Sequence, residues 1–90
     1  MIQTISIIVT GKVQGVFYRQ STKEKALELN ITGVVSNLHD GSVKIIASGD
    51  ADQLHKLAEW CWQGPRRAKV MGVTQETLAL QTFDAFTIEK

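Results

Sequence analysis

Residues 11–19 read GKVQGVFYR, and they lie between an alternating apolar run and a stretch with helical spacing. A tight turn from a strand into a helix needs only about one glycine. Here Gly11 and Gly15 precede Arg19 at the start of the helical stretch, which indicates a main chain bent around a ligand. Glycine lets backbone N–H groups approach a ligand closely, and a guanidinium offers a forked set of charged donors. The expected ligand is therefore an anion.

The alternative interpretation is structural: Gly11 and Gly15 serve only the turn, and Arg19 is a solvated surface charge. The glycine pattern matches neither GxGxxG nor the lysine-containing phosphate loop, so neither nucleotide-binding motif applies. In favour of an anion site, consecutive N–H groups in such a turn can form a concave surface, and the following helix adds its positive dipole end. The spacing by itself leaves both interpretations open.

On the N-terminal side of the loop, residues 2–10 have the period of a β-strand. One face carries Ile5, Ile7 and Val9, and the other carries mostly polar residues, namely Thr4, Ser6 and Thr10. We expect the first face to be buried under helices and the second to be partly open to water.

On the C-terminal side, the stretch RQSTKEKALELN predicts a helix, because three residues recur at helical spacing: Thr22, Ala26 and Leu29. Ser21 and Glu24 resemble a capping box, which would start the helix there. The alternative is a start near Tyr18 or Arg19.

The rest of the chain predicts a hairpin, a second helix and two further strands. Asp40-Gly41 is a turn signal that places Asn37 near the tip of the hairpin. Asp50 is a suitable N-cap for the second helix, and Gly64-Pro65 ends it. The predicted strands are residues 33–37, 42–47 and 69 to about 77, with a short one near 83–88.

The predicted order is β-α-β-β-α-β with a short extra strand at the end. Each helix must then connect two parallel strands that are not neighbours, and right-handed crossovers put both helices on one face of the sheet. This predicts the ferredoxin-like two-layer α/β (α+β) sandwich, with a mainly antiparallel sheet.

Length and composition exclude several classes of function. A chain of 90 residues predicts one domain spanning residues 1–90. The net charge of +1 provides no basic field for nucleic acid, and no apolar run is long enough to cross a membrane. The N-terminus has no signal-peptide pattern, and the lone Cys61 excludes an internal disulfide and a cysteine-rich metal site. We expect a cytoplasmic monomer that uses neither metal nor cofactor.

At every specified position, residues 11–19 resemble the acylphosphatase signature G-x-V-Q-G-V-x-[FY]-R. A second segment, GVVSNLHDGSVKIIASG at 33–49, resembles the family's second signature, which centres on an asparagine, here Asn37. Residues 64–73, GPRRAKVMGV, resemble a third segment of the family more weakly. The chain departs from the family at Val34, where an aromatic residue is usual, and at Ser36, where a long and often basic side chain is usual.

The resemblance implies hydrolysis of small acyl phosphates to a carboxylate and inorganic phosphate, which would be both product and inhibitor. Arg19 would hold the phosphate and Asn37 would position the attacking water as the two catalytic residues. The phosphate-binding residues would be those whose main chain lines the loop, namely Gln14, Gly15, Val16, Phe17, Tyr18 and Arg19. The leaving carboxylate is a weak base, so this chemistry requires no general acid.

Other residues have predicted roles outside the chemistry. Phe17 and Tyr18 are expected to anchor the loop in the core instead of stacking on substrate. His39 is expected to be solvated, and Cys61 to be a small core residue rather than a nucleophile.

Three alternative functions remain open. The first is a phosphate-binding module without hydrolysis, against which Asn37 argues. The second is an RNA-binding domain of the same fold, against which the aliphatic strands and the low charge argue. The third is a carbamoyl-phosphate-handling domain of a larger maturation protein, and the length of 90 residues favours the independent enzyme.

Overall fold

A computed structural model describes residues 1–89. Its elements follow the predicted order: β1 Ile2–Lys12, α1 Tyr18–Glu28, β2 Thr32–Asn37, β3 Val43–Asp50, α2 Ala51–Gln63, β4 Lys69–Leu78 and β5 Phe86–Ile88. Neither of these helices is long and apolar enough to span a membrane.

The five strands form one sheet in the order β4-β1-β3-β2-β5. β1 pairs antiparallel with both β3 and β4, β2 pairs antiparallel with β3, and β5 adds in parallel to β2. Because β1 and β2 both oppose β3, α1 connects two parallel strands that are not neighbours, and α2 does the same for β3 and β4. α1 packs against β2 and β5, and α2 packs against β4, β1 and β3. The predicted ferredoxin-like sandwich is confirmed.

The core lies between the sheet and the helices. Ile7 and Val9 of β1 are fully buried, as the strand period predicts, and they pack in one cluster with Leu57 of α2. Burying such a side chain contributes about 1.5–3 kcal/mol. The packed layer between the sheet and the helices therefore comes from alternation in the strands and helical spacing in α1 and α2.

The opposite face of the sheet is open at Thr10, as predicted, but closed at Thr4, which is only 1% exposed. β4 and β5 lie at opposite edges, so residues 79–85 must pass from one edge to the other. Gln81 N donates to Thr4 Oγ1 (2.9 Å), and Ser48 Oγ donates to Gln81 O (2.8 Å). The polar residues at this end of the face therefore hold a crossing segment, and β5 starts at Phe86 rather than near 83.

α1 begins at Tyr18, which confirms the earlier of the two predicted starts. Its N-cap is Phe17 in the left-handed conformation (φ 65°), with no side-chain cap. Ser21 N already donates to Phe17 O (3.0 Å) inside the first turn, so the capping box predicted at Ser21 and Glu24 is wrong. The left-handed main chain at Phe17 starts the helix one turn before Ser21, where the capping box was predicted.

α2 begins after Asp50, as predicted, although the Asp50 side chain makes no capping hydrogen bond. Instead, Asp50 Oδ1 accepts from the N-terminal ammonium of Met1 (3.2 Å). α2 ends at Gln63, and Gly64 follows with φ 63°.

Candidate active site

Close to its C-terminal end, β1 has a bulge in its pairing with β4. The pairing register shifts between Thr10 and Gly11, and Gly11 has φ 119°. A Cβ at Gly11 would lie 2.2 Å from Lys69 O, so only glycine fits there. This bulge bends the end of β1, which stays paired with β4 through Lys12 before the chain enters the loop.

The loop itself has the geometry of an anion-binding concavity. Gly15 (φ 73°) and Phe17 (φ 65°) are left-handed, and Val16 between them is not. Such an alternation turns successive N–H groups toward one point. No acceptor among residues 1–89 bonds the main-chain N–H of Gly15, Val16 or Phe17. The N-terminus of α1 follows directly, and its dipole adds positive potential.

Beside this loop lies a cavity of about 300 Å³. It is lined by Val13, Gly15, Phe17, Tyr18, Arg19, Gln20, Asn37 and Ile88. The structure therefore brings together Arg19 from α1 and Asn37 from the end of β2, which are far apart in the sequence. Gly15, Phe17 and Tyr18, three of the other predicted site residues, line the same cavity.

Arg19 is oriented by the end of the described chain. Its Nη1 donates to the main-chain oxygen of Glu89 (3.0 Å), and Glu89 N in turn donates to Val35 O (2.9 Å). The pairing of β5 with β2 thus places a main-chain oxygen within hydrogen-bond distance of the Arg19 guanidinium. Sequence reasoning missed this contact because any residue at position 89 supplies a main-chain oxygen.

Asn37 is exposed at the last position of β2, where the hairpin begins to turn. The turn is held by Asp40, whose Oδ1 accepts from both the N–H (3.0 Å) and the hydroxyl of Ser42. These hydrogen bonds, that from the Ser42 hydroxyl first, hold the pKa of Asp40 below its usual range. The turn therefore fixes the main chain that follows Asn37.

Gln14 joins the loop to this hairpin. Its Nε2 donates to Leu38 O (2.8 Å) and Ser42 O (2.9 Å). The side chain of Gln14 is therefore a brace that fixes the distance between the loop and Asn37. Sequence reasoning assigned only the main chain of Gln14 to the site, and it missed this role of the side chain.

Val16 and Tyr18 anchor the loop in the core. Val16 is buried, and the Tyr18 ring packs against Trp60 with centroids 5.6 Å apart while its hydroxyl donates to Cys61 O (2.7 Å). The predicted anchoring by Tyr18 is confirmed. For Phe17 that prediction is wrong, because Phe17 is 74% exposed. The two neighbouring rings diverge because Phe17 is left-handed while Tyr18 opens the helix.

Two other candidate groups are not part of the cavity. His39 is exposed at the hairpin, as predicted. Cys61 is fully buried, and its burial raises the pKa of the thiol to about 12, so it stays neutral at pH 7. Among residues 1–89, no group of three or more His, Cys, Asp or Glu side chains could hold a metal ion.

The fold and site together define a class: a small α+β protein with a bent loop of N–H donors, a guanidinium and an amide around one cavity. This class can be compared with known proteins. The acylphosphatase family model matches residues 5–88. An acylphosphatase of Marinobacter nauticus is 54% identical over 81 residues, covering 89% of this chain and 88% of that protein.

Solved structures that resemble this chain include members of the same family. An acylphosphatase from Coxiella burnetii has a TM-score of 0.95 at 41% identity, covering 98% of this chain and 93% of the other. An acylphosphatase from Bacillus subtilis has a TM-score of 0.94 at 31% identity, with both chains covered completely. The chain belongs to the acylphosphatase family. At the level of that family, it is an enzyme that hydrolyses acyl phosphates.

Proposed function

We propose that the chain hydrolyses small acyl phosphates in the cavity between its loop and its hairpin. The phosphate is held by residues 12–19 and by the charge of Arg19, and Asn37 positions the attacking water. The observation that carries this proposal is that Arg19 and Asn37 line one cavity beside N–H groups that residues 1–89 leave without an acceptor.

Phosphate binding rests on the main-chain N–H groups from Gln14 to Arg19 together with the guanidinium. Hydrogen bonds to a charged group contribute about 1.5–3 kcal/mol each. The contact between Arg19 Nη1 and Glu89 O leaves other N–H donors of the guanidinium for the phosphate oxygens. Because this contact orients Arg19, part of its rotamer entropy is already lost before the phosphate binds.

The chemical step forms one bond and breaks one bond. A water oxygen attacks phosphorus, and the P–O bond to the acyl group breaks with its electron pair leaving on the carboxylate. The water protons remain with the phosphate product and solvent. Phosphoryl transfer of this kind has a loose transition state, so orientation and charge stabilisation do most of the catalysis. Asn37 suits the water because an amide can both donate and accept.

The test is phosphate release from acetyl phosphate by the purified chain, with and without a chelator. Asn37→Ala should lower kcat by about 10²–10³ and leave affinity for inorganic phosphate nearly unchanged, by analogy with loss of an oxyanion donor. Arg19→Gln should lose both, with phosphate affinity reduced at least about tenfold.

The matched controls are Gln63→Ala and Arg66→Gln, which remove an amide and a guanidinium from exposed positions away from the cavity. Both should hydrolyse acetyl phosphate at the wild-type rate. Full activity in Asn37→Ala or Arg19→Gln would refute the assigned roles, and no turnover by the wild type would refute the proposed function. Addition of chelator should leave the rate unchanged.

The proposal includes the setting of this activity. Residues 1–90 act as one domain, in the cytoplasm, as a monomer, with inorganic phosphate as product and competitive inhibitor and no role for a metal or cofactor. A single, buried cysteine fits a reducing compartment. Gel filtration with light scattering checks the monomer, for which a mass near 10.0 kDa is expected.

A further inference from the structure

Phe17 is the one exposed aromatic residue that lines the cavity within residues 1–89. It is 74% exposed, while its neighbour Tyr18 is 1% exposed. It is also left-handed, a conformation that L-residues other than glycine, asparagine and aspartate rarely adopt. Neither core packing nor backbone preference therefore accounts for a large apolar side chain here.

The cavity has two kinds of lining. Arg19, Asn37 and the N–H groups of the loop supply charge and hydrogen bonds, while Val13, Phe17 and Ile88 supply apolar surface. Val13 is buried and Ile88 is partly buried, so Phe17 is the most exposed apolar residue of the lining. A bound phosphate can accept hydrogen bonds from the polar groups, but it cannot cover this apolar surface.

We propose that Phe17 determines substrate specificity by contacting the acyl group, so that the discrimination between aromatic acyl phosphates and acetyl phosphate depends on the side chain at position 17. This inference rests on the proposed function. When the phosphate is bound by the loop, the acyl group extends beyond the bridging oxygen, away from the N–H donors. An aromatic acyl group removes part of the Phe17 ring from water and pairs with it, whereas an acetyl group covers much less of it.

The test is the ratio of kcat/KM for benzoyl phosphate to kcat/KM for acetyl phosphate. In Phe17→Ala this ratio should fall about five- to tenfold, the size expected for loss of one aromatic pair and its buried area. In Phe17→Tyr the ratio should return to the wild-type value. Trp62→Ala removes another exposed aromatic, 56% exposed and outside the cavity, and should leave the ratio unchanged.

A change of loop geometry would affect both substrates equally, because they share the phosphate. An unchanged ratio in Phe17→Ala, or a ratio not restored in Phe17→Tyr, therefore overturns the inference even if acetyl phosphate turnover falls.

A binding measurement separates this inference from the proposed function. Benzoylphosphonate and acetylphosphonate carry the same acyl groups on a bond that cannot be hydrolysed in the same way. Calorimetry should give tighter binding of benzoylphosphonate to the wild type and loss of that preference in Phe17→Ala. If the wild type hydrolyses neither acyl phosphate, the proposed function fails while this binding ratio still decides the contact. Equal binding of both phosphonates to the wild type overturns the contact.

Discussion

Gly11 and Gly15 belong to one sequence motif, but Gly11 lies in β1 and Gly15 in the loop, and their structural requirements differ. A Cβ at Gly11 would meet Lys69 O at 2.2 Å and Met71 N at 2.8 Å, so that glycine belongs to the pairing of β1 with β4. A Cβ at Gly15 would meet nothing within 4 Å, so that glycine is needed only for its φ of 73° and for open space in the cavity.

We therefore predict that the two alanine variants differ in their effects on stability and on phosphate affinity. Gly11→Ala should lower the free energy of unfolding by more than about 2 kcal/mol, because main-chain atoms must move. Gly15→Ala should lower it by only about 1–2 kcal/mol, the cost of a left-handed residue, while weakening phosphate affinity. Urea unfolding and phosphate calorimetry measure the two effects. Equal loss of stability in both variants would contradict this division.

At the scale of an element, β5 is short and peripheral, but it completes the site. It pairs with β2 through residues 33–35, contributes Ile88 to the cavity and precedes the main-chain oxygen that accepts from Arg19. An arginine side chain carries about 2 kcal/mol of rotamer entropy, and the contact with Glu89 O removes part of that freedom before substrate binds. β5 therefore helps to orient the Arg19 guanidinium through a main-chain oxygen rather than through a side chain.

Deletion of residues 87–90 should weaken phosphate affinity by up to about 30-fold, since Arg19 loses its acceptor and must be ordered by the ligand. Glu89→Ala keeps the main-chain oxygen and should bind phosphate as the wild type does. Calorimetry with inorganic phosphate compares the two proteins. Weak binding by Glu89→Ala would show that the carboxylate, rather than the main chain, is the group that matters.

At the scale of the whole molecule, three segments distant in sequence meet at the cavity. The loop and α1 bring Arg19, the hairpin brings Asn37, and the end of the sheet brings Glu89. Gln14 braces the first of these segments against the second. Because unfolding separates all three segments, a bound anion should stabilise the fold as a unit.

Inorganic phosphate at about 100 times its Kd should therefore stabilise the folded state by about 2.7 kcal/mol. For a domain of this size, that increment raises Tm by about 10–20 °C. A thermal melt with sodium chloride at matched ionic strength is the reference. Arg66→Gln should keep the shift and Arg19→Gln should lose most of it, so an equal shift in both would rule out binding at the cavity.

Local patterns were sufficient for much of this protein. Strand alternation and helical spacing predicted the element order and the core faces, because burial repeats with the period of each element. The loop motif indicated an anion site that includes Arg19, and the turn signal placed Asn37 at a hairpin. The capping box predicted at Ser21 is wrong because the left-handed main chain at Phe17 starts the helix before the position that the side chains indicated.

What the sequence by itself determined was the order of strands and helices, the fold that follows from it, and the residue types of the site. Only the tertiary structure decided that Phe17 faces solvent while Tyr18 is buried, that residues 79–85 cross the sheet at Thr4, and that Gln14 and Glu89 brace the site. The physical reason is that these features depend on main-chain atoms, or on side chains meeting main-chain atoms, of residues far away in the chain. A main-chain N–H or C=O is nearly the same in every residue, so no pattern of side chains shows in advance which of them will meet.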